Sequence, residues 1–318
     1  MNRSFRLVAL LLCGSGFSSL VYQTTWQRMF RLTFGASTAA SAAVLAIFLG
    51  GLGLGGAVLG RRVERSRRPL VYYGNLELAI AGLAALSPLL CGAVNAFYLR
   101  LGGSQSLGSF GSTAIRLLLT TLVIGPAALL MGGTLPAAAR AVVEEADDNR
   151  RSLALLYSLN TVGAVLGALV GPLLLFGLLG NEFTLYGAAC VNALVGMSAR
   201  ALGRSLPELP PGPENDSLAD DGVKGEADSA NARFIYAVAA LVGFAFLALE
   251  LVWYRILTPI LGGSSLTFGL ILACALSGIG FGGYLFSRRG RGPANQPGTR
   301  LLDAGAGSAV CARPVRVG

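Results

Sequence analysis

Gly16-Phe17-Ser18-Ser19-Leu20-Val21-Tyr22-Gln23-Thr24-Thr25-Trp26-Gln27-Arg28 returns late in the chain as Gly243-Phe244-Ala245-Phe246-Leu247-Ala248-Leu249-Glu250-Leu251-Val252-Trp253-Tyr254-Arg255. The correspondence runs without a gap from Gly16–Arg62 onto Gly243–Arg289, at a constant offset of 227 residues. Beyond the quoted stretch it pairs Gly35 with Gly262, Ser37 with Ser264, Gly51 with Gly278, Gly55 with Gly282 and Arg62 with Arg289. Each copy holds two apolar runs of bilayer length, so the repeat is a repeat of membrane helices.

Composition agrees. Hydrophobic residues make up 53% of the 318 and charged residues only 13%, whereas soluble domains carry about a quarter charged residues. Apolar runs predict transmembrane helices near Phe5–Tyr22, Thr38–Leu59, Leu70–Ala93, Ile115–Leu135, Leu153–Leu175, Thr184–Ala199, Phe234–Leu257 and Leu266–Phe286. The expected fold is an all-α integral membrane protein of about eight spans, a six-helix unit followed by the first two helices of a parallel second repeat. The organisation follows as a six-helix membrane unit over 1–200, a hydrophilic cytoplasmic linker over 201–232, a two-helix start of the second repeat over 233–289, and a disordered basic tail over 290–318. The Pro-, Gly- and acid-rich stretch Leu206–Asn231 marks the linker.

The net charge of +9 is explained by where the arginines fall. With a cytoplasmic N-terminus, the inner segments collect Arg3, Arg6, Arg61, Arg62, Arg65, Arg67, Arg68, Arg140, Arg150, Arg151, Arg200, Arg204, Lys224, Arg233, Arg288, Arg289 and Arg291. The outer segments hold Arg28, Arg31, Arg100, Arg116 and Arg255. This bias predicts a multi-pass protein with both termini in the cytoplasm, and it removes the need for a nucleic-acid partner. The first apolar run is no cleaved signal, because the same segment recurs inside the chain.

Histidine is absent, which removes imidazole as base or metal ligand, and the five cysteines are scattered with no C-x-x-C pair. Neither a metal site nor a cofactor site is expected, and no catalytic residue is assigned. Gly51-Leu52-Gly53-Leu54-Gly55-Gly56 satisfies G-x-G-x-x-G, but within an apolar helix its glycines read as packing surface. Gly163, Gly167 and Gly171 read the same way. Leu301-Leu302-Asp303-Ala304-Gly305-Ala306-Gly307 has the form of a nucleotide-binding turn without the sheet such a turn needs. Gly132-Gly133-Thr134-Leu135-Pro136 is expected to end the fourth helix.

Polar residues inside spans are the functional candidates, since each is costly in hydrocarbon unless paired or facing a cavity. They are Gln23, Glu77, Asn160, Asn192 and Glu250. Gln23 and Glu250 occupy equivalent repeat positions, three residues before Trp26 or Trp253 and five before Arg28 or Arg255. Those tryptophans and arginines are expected to be interfacial, as ring anchors and snorkelling guanidiniums.

The opening motif, together with Phe48-Leu49-Gly50-Gly51-Leu52-Gly53-Leu54-Gly55, Met131-Gly132-Gly133-Thr134-Leu135-Pro136 and Tyr157-Ser158-Leu159-Asn160-Thr161-Val162-Gly163-Ala164, resembles one family. It is the bacterial fused membrane proteins with a major-facilitator-like N-terminal region and a spermidine-synthase-like C-terminal domain. The resemblance covers about residues 5–289. It implies a membrane region, in the bacterial inner membrane, serving a polyamine aminopropyltransferase as transport or anchoring module. Family members commonly carry Glu where this chain has Gln23. No residue matches the family's aminopropyltransferase domain, so no activity is expected of this chain on its own. The Arg-Gly-Pro-Ala composition after Arg289 reads as a truncated or frame-shifted product. The alternatives are a stand-alone transporter of a polyamine-like small molecule, completed by a homo-oligomer, or a non-functional fragment. In each case the lipid bilayer is the main partner.

Overall fold

A computed structural model describes residues 3–34, 38–100, 102–142, 149–210 and 225–289. The expected basic tail, the Leu301–Gly307 turn and most of the linker lie outside the described residues. Among the described residues every regular element is helical. In chain order these are α1 (Arg3–Phe34), α2 (Thr38–Glu64), α3 (Pro69–Arg100), α4 (Gly103–Gly132), α5 (Thr134–Val142) and α6 (Asn149–Val170), then a π turn (Gly171–Leu175), α7 (Phe176–Leu178), α8 (Gly180–Ser205), α9 (Gly225–Leu261) and α10 (Ser265–Arg289). Eight stretches among them are long and apolar enough to cross a membrane, α4 with α5 counting as one and α6 with the π turn and α7 as another. The chain is an all-α, multi-pass membrane protein.

The helices of the two copies, α1 with α2 and α9 with α10, fall on the repeated stretches of sequence. One boundary differs from expectation, because α9 starts at Gly225, inside the stretch assigned to the linker.

Helices approach through glycine. A Cβ on Gly163 would lie 1.9 Å from the carbonyl oxygen of Cys13, and one on Gly167 2.2 Å from that of Phe17, so α6 crosses α1 backbone against backbone. Gly55 meets Leu129 of α4 at 1.8 Å and Gly132 meets Leu52 of α2 at 2.2 Å in the same construction. Gly74 of α3 and Gly196 of α8 face each other likewise. These are small-residue crossings of the membrane type, and they show the packing role of Gly51, Gly55, Gly163 and Gly167, whereas Gly53 faces open space.

Breaks in the helices follow from residue chemistry. Pro88 lacks the N–H that would bond Ala84, and the Ser87 hydroxyl donates to that carbonyl instead at 2.7 Å. Pro172 lies in the π turn, which closes by the Phe176 N–H donating to Gly171. As the glycine-proline motif predicts, α4 ends at Gly132, and Thr134 restarts the chain as α5 while donating to the Met131 carbonyl at 2.7 Å.

Two apolar clusters stack along the first six spans. One gathers Val21, Trp26, Phe48, Ile80, Ile124 and Ala188, and the other Leu12, Val63, Tyr73, Leu156 and Val195. A third joins α10 to the unit through Leu45, Ala168, Phe268 and Leu272. Alternating helix direction brings Arg3, Arg6, Arg61, Arg62, Arg65, Arg67, Arg68, Arg140, Arg200 and Arg204 to one end. There the strand-like segment after α8 is pinned: Arg68 Nε meets Glu208 at 2.8 Å, and the Leu209 N–H donates to Arg67 O at 2.9 Å.

Candidate functional site: a buried polar layer around Glu77

Between the two stacked apolar clusters lies a layer of polar side chains. Leu12 and Val21 of α1 belong to different clusters, and Ser15 and Ser18 fall between them. Glu77 lies between Tyr73 and Ile80 on α3, and Asn192 between Ala189 and Val195 on α8, so three helices contribute at one level. Glu77 is completely buried.

The Ser15 hydroxyl donates to Glu77 Oε1 at 2.6 Å, and Asn192 Nδ2 donates to the Glu77 backbone carbonyl at 2.8 Å. These bonds use only part of the capacity present. Asn192 Oδ1, Ser18 Oγ and Tyr22 OH are buried without a hydrogen-bond partner among the described residues. The Tyr73 hydroxyl sits beside Ser15 and Glu77, and Tyr22 lies within electrostatic reach of the same carboxyl. A buried polar atom left unpaired costs about 1–3 kcal/mol, and Asn192 Oδ1, Ser18 Oγ and Tyr22 OH in one layer are a large concession for a bundle otherwise packed on apolar side chains. Burial and orphaned oxygens together single this layer out as the functional site candidate.

The other sequence candidates scatter. Asn160 is half-buried at the α1–α6 crossing, its backbone oxygen against Gly16. Gln23 and Gln27 are buried on α1 with the Gln23 Nε2 and both Gln27 amide atoms unpaired. Glu250 is 2% exposed with neither carboxyl oxygen paired among the described residues, near Leu247, Leu251 and Tyr254. Although Gln23 and Glu250 are repeat equivalents, α1 and α9 meet through side chains elsewhere, Arg31 lying over the Tyr254 ring.

The interfacial expectation divides. Trp26 is fully buried: its Nε1 donates to Ser87 Oγ at 2.8 Å and its ring stacks on Tyr22 with centroids 5.5 Å apart. That departs from the expected anchor, because α3 offers the Ser87 hydroxyl to the indole. Trp253, its repeat mate, is 47% exposed, and Arg255 is exposed. Arg28 is half-buried with its guanidinium 4.9 Å above the Phe176 ring, held by a cation–π contact.

Ser18, Tyr22 and Tyr73 were missed from sequence. The signal that finds the first two is the spacing Ser15-x-x-Ser18-x-x-x-Tyr22, a polar stripe along α1. Two surface grooves, one lined by Leu10, Phe17, Leu166 and Val195 and the other by Leu78, Ala85, Tyr186 and Ala193, are apolar and hold none of this chemistry. Among the described residues no group of His, Cys, Asp and Glu is placed to hold a metal.

Fold and site thus define a multi-pass membrane protein with a polar layer inside its helical bundle. Compared with models of known families, with curated proteins and with solved structures, the chain gives no match.

Proposed function

We propose that this chain is the membrane region of a two-repeat, major-facilitator-like transport module of the spermidine-synthase-like fusion type, and that it handles a polyamine-like cation. The observation that carries this reading is the contrast between equivalent faces. In the first copy α1 buries Tyr22 and Trp26, and α2 lays Gly51 and Gly55 against α4. In the second copy the matching Leu249 and Trp253 are about half exposed, and Gly278 and Gly282 have open space around them. Helices α9 and α10 therefore present the packing faces of a second unit, as parallel-repeat transporters build them. The docking of α10 on α6, where Ser158 donates to the Gly280 carbonyl at 2.9 Å, adds the contact between units.

The proposed site is the bacterial inner membrane, with both termini cytoplasmic, supported by the arginine-rich end that carries the α2–α3 turn. A carboxyl at Glu77 and another at Glu250 suit a cationic substrate. Uptake of labelled spermidine into proteoliposomes holding the purified chain tests the reading. Saturable uptake above that of empty vesicles is the expected result, and its absence restricts the chain to anchoring.

A further inference from the structure

We propose that the groove between α1, α6 and α8 holds one acyl chain of an anionic phospholipid whose phosphate rests on Arg3 and Arg6. The groove encloses about 460 Å³ and is lined by Leu10, Gly14 and Phe17 of α1, by Leu166 of α6 and by Val191 and Leu194 of α8. That volume lies within the range of about 300–1,000 Å³ usual for small-molecule sites. Leu10, Leu166 and Leu194 are exposed along it, so the groove opens sideways to the hydrocarbon of the bilayer. A lipid chain is the ligand that reaches such a groove and gains dispersion contacts along its apolar wall.

Helix spacing sets the headgroup. Arg3, Arg6, Leu10, Gly14 and Phe17 follow one another at intervals of three or four residues, which places them in one row along α1. The row that lines the groove therefore ends in two guanidiniums, and both arginines are exposed. Neither α1 nor residues 191–205 of α8 carry an acidic side chain, and Arg204 sits in the last turn of α8. The mouth is thus positive and favours a headgroup of net negative charge, whose phosphate oxygens match the fork of a guanidinium. Depth agrees with charge. From Arg6 to Phe17 α1 rises about 16 Å, close to half of a hydrocarbon core of about 30 Å. One leaflet's chain therefore fits the groove with its phosphate level with the arginines.

Lipid binding here does not depend on the transport reading. The test is thermal unfolding of the purified full chain in detergent, titrated with phosphatidylglycerol or with phosphatidylcholine of the same acyl chains. A lipid held only by the folded state raises the midpoint by mass action, and phosphatidylglycerol is expected to do so at lower concentration. Arg3→Gln combined with Arg6→Gln is expected to raise its half-maximal concentration roughly thirtyfold, the usual effect of two basic residues at a membrane surface. Leu194→Trp fills the groove from an exposed position and is expected to abolish the response. Arg61→Gln combined with Arg62→Gln, at the end of α2 and off the groove, is expected to preserve it, and inorganic phosphate at matched ionic strength is expected to leave the midpoint unmoved. Equal responses to the two lipids overturn the proposal, as does a phosphatidylglycerol response that survives the Arg3 and Arg6 substitutions or Leu194→Trp. It is also overturned by an equal loss in the Arg61 and Arg62 variant, which would mean diffuse attraction, or by a rise with inorganic phosphate alone, which would mean an anion site without a chain.

Discussion

Gly163→Ala is the smallest change that separates α1 from α6. The new methyl would sit 1.9 Å from the Cys13 carbonyl oxygen and 2.7 Å from its carbon, both backbone atoms that no rotamer change can move. Restoring ordinary van der Waals separation requires the two helices to part by on the order of 1.5 Å. Overpacking of that kind costs about 1–3 kcal/mol, and the shift also strains the neighbouring contact of Gly167 with Phe17. Gly82→Ala on α3 is the matched control, since nothing lies within 4 Å of its methyl. There the substitution gains helix propensity and is expected to be neutral or stabilising by up to about 1 kcal/mol. Unfolding midpoints of the two variants in detergent measure the difference. If Gly163→Ala is as stable as Gly82→Ala, the backbone-to-backbone crossing of α1 and α6 is wrong.

Other consequences can be read at single positions. Trp26→Phe keeps the stack on Tyr22 but leaves Ser87 without its indole donor, and should lower stability by about 1 kcal/mol in chemical denaturation. Brominated lipid should quench the emission of Trp253 in a Trp26→Phe protein and leave Trp26 bright in a Trp253→Phe protein, because one ring is half exposed and the other buried. Arg31 donates to the Gly263 carbonyl at 2.6 Å and lies over Tyr254. Arg31→Ala is therefore expected to speed hydrogen exchange in the α9–α10 turn while changing global stability by no more than about 1 kcal/mol, as for other exposed charged contacts.

Much of the architecture was legible because membrane helices advertise themselves by length and composition. The eight apolar runs, the stop at Gly132–Pro136 and the packing glycines all follow from local chemistry, and the repeat located α9 and α10. Repetition was a poorer guide to environment. Trp26 and Trp253 share a sequence context, yet α3 covers only the first, and no local pattern carries that information. Glu77 and Asn192 could be singled out as costly residues in hydrocarbon, but their meeting depends on the α3–α8 crossing at Gly74 and Gly196. The hydroxyls of Ser18, Tyr22 and Tyr73 escaped notice because such residues are tolerated singly in membrane helices. Only the meeting of Tyr22 and Tyr73 at the Glu77 carboxyl gives the two tyrosines meaning.

Docking of the second-repeat helices onto the first unit is the central claim, and α6 and α10 offer a direct measurement of it. A Cβ built on Gly280 lies 3.5 Å from the Cβ of Thr161, within the range of about 3.5–4.5 Å that a disulfide requires. The experiment places Thr161→Cys and Gly280→Cys in a chain whose native cysteines are replaced by alanine, with a protease site inserted between Ala219 and Asp220. After oxidation in native membranes and cleavage, the two pieces are predicted to run as one band on a non-reducing gel and to separate on reduction. Two separate bands without reductant, with both cysteines intact, would contradict the account.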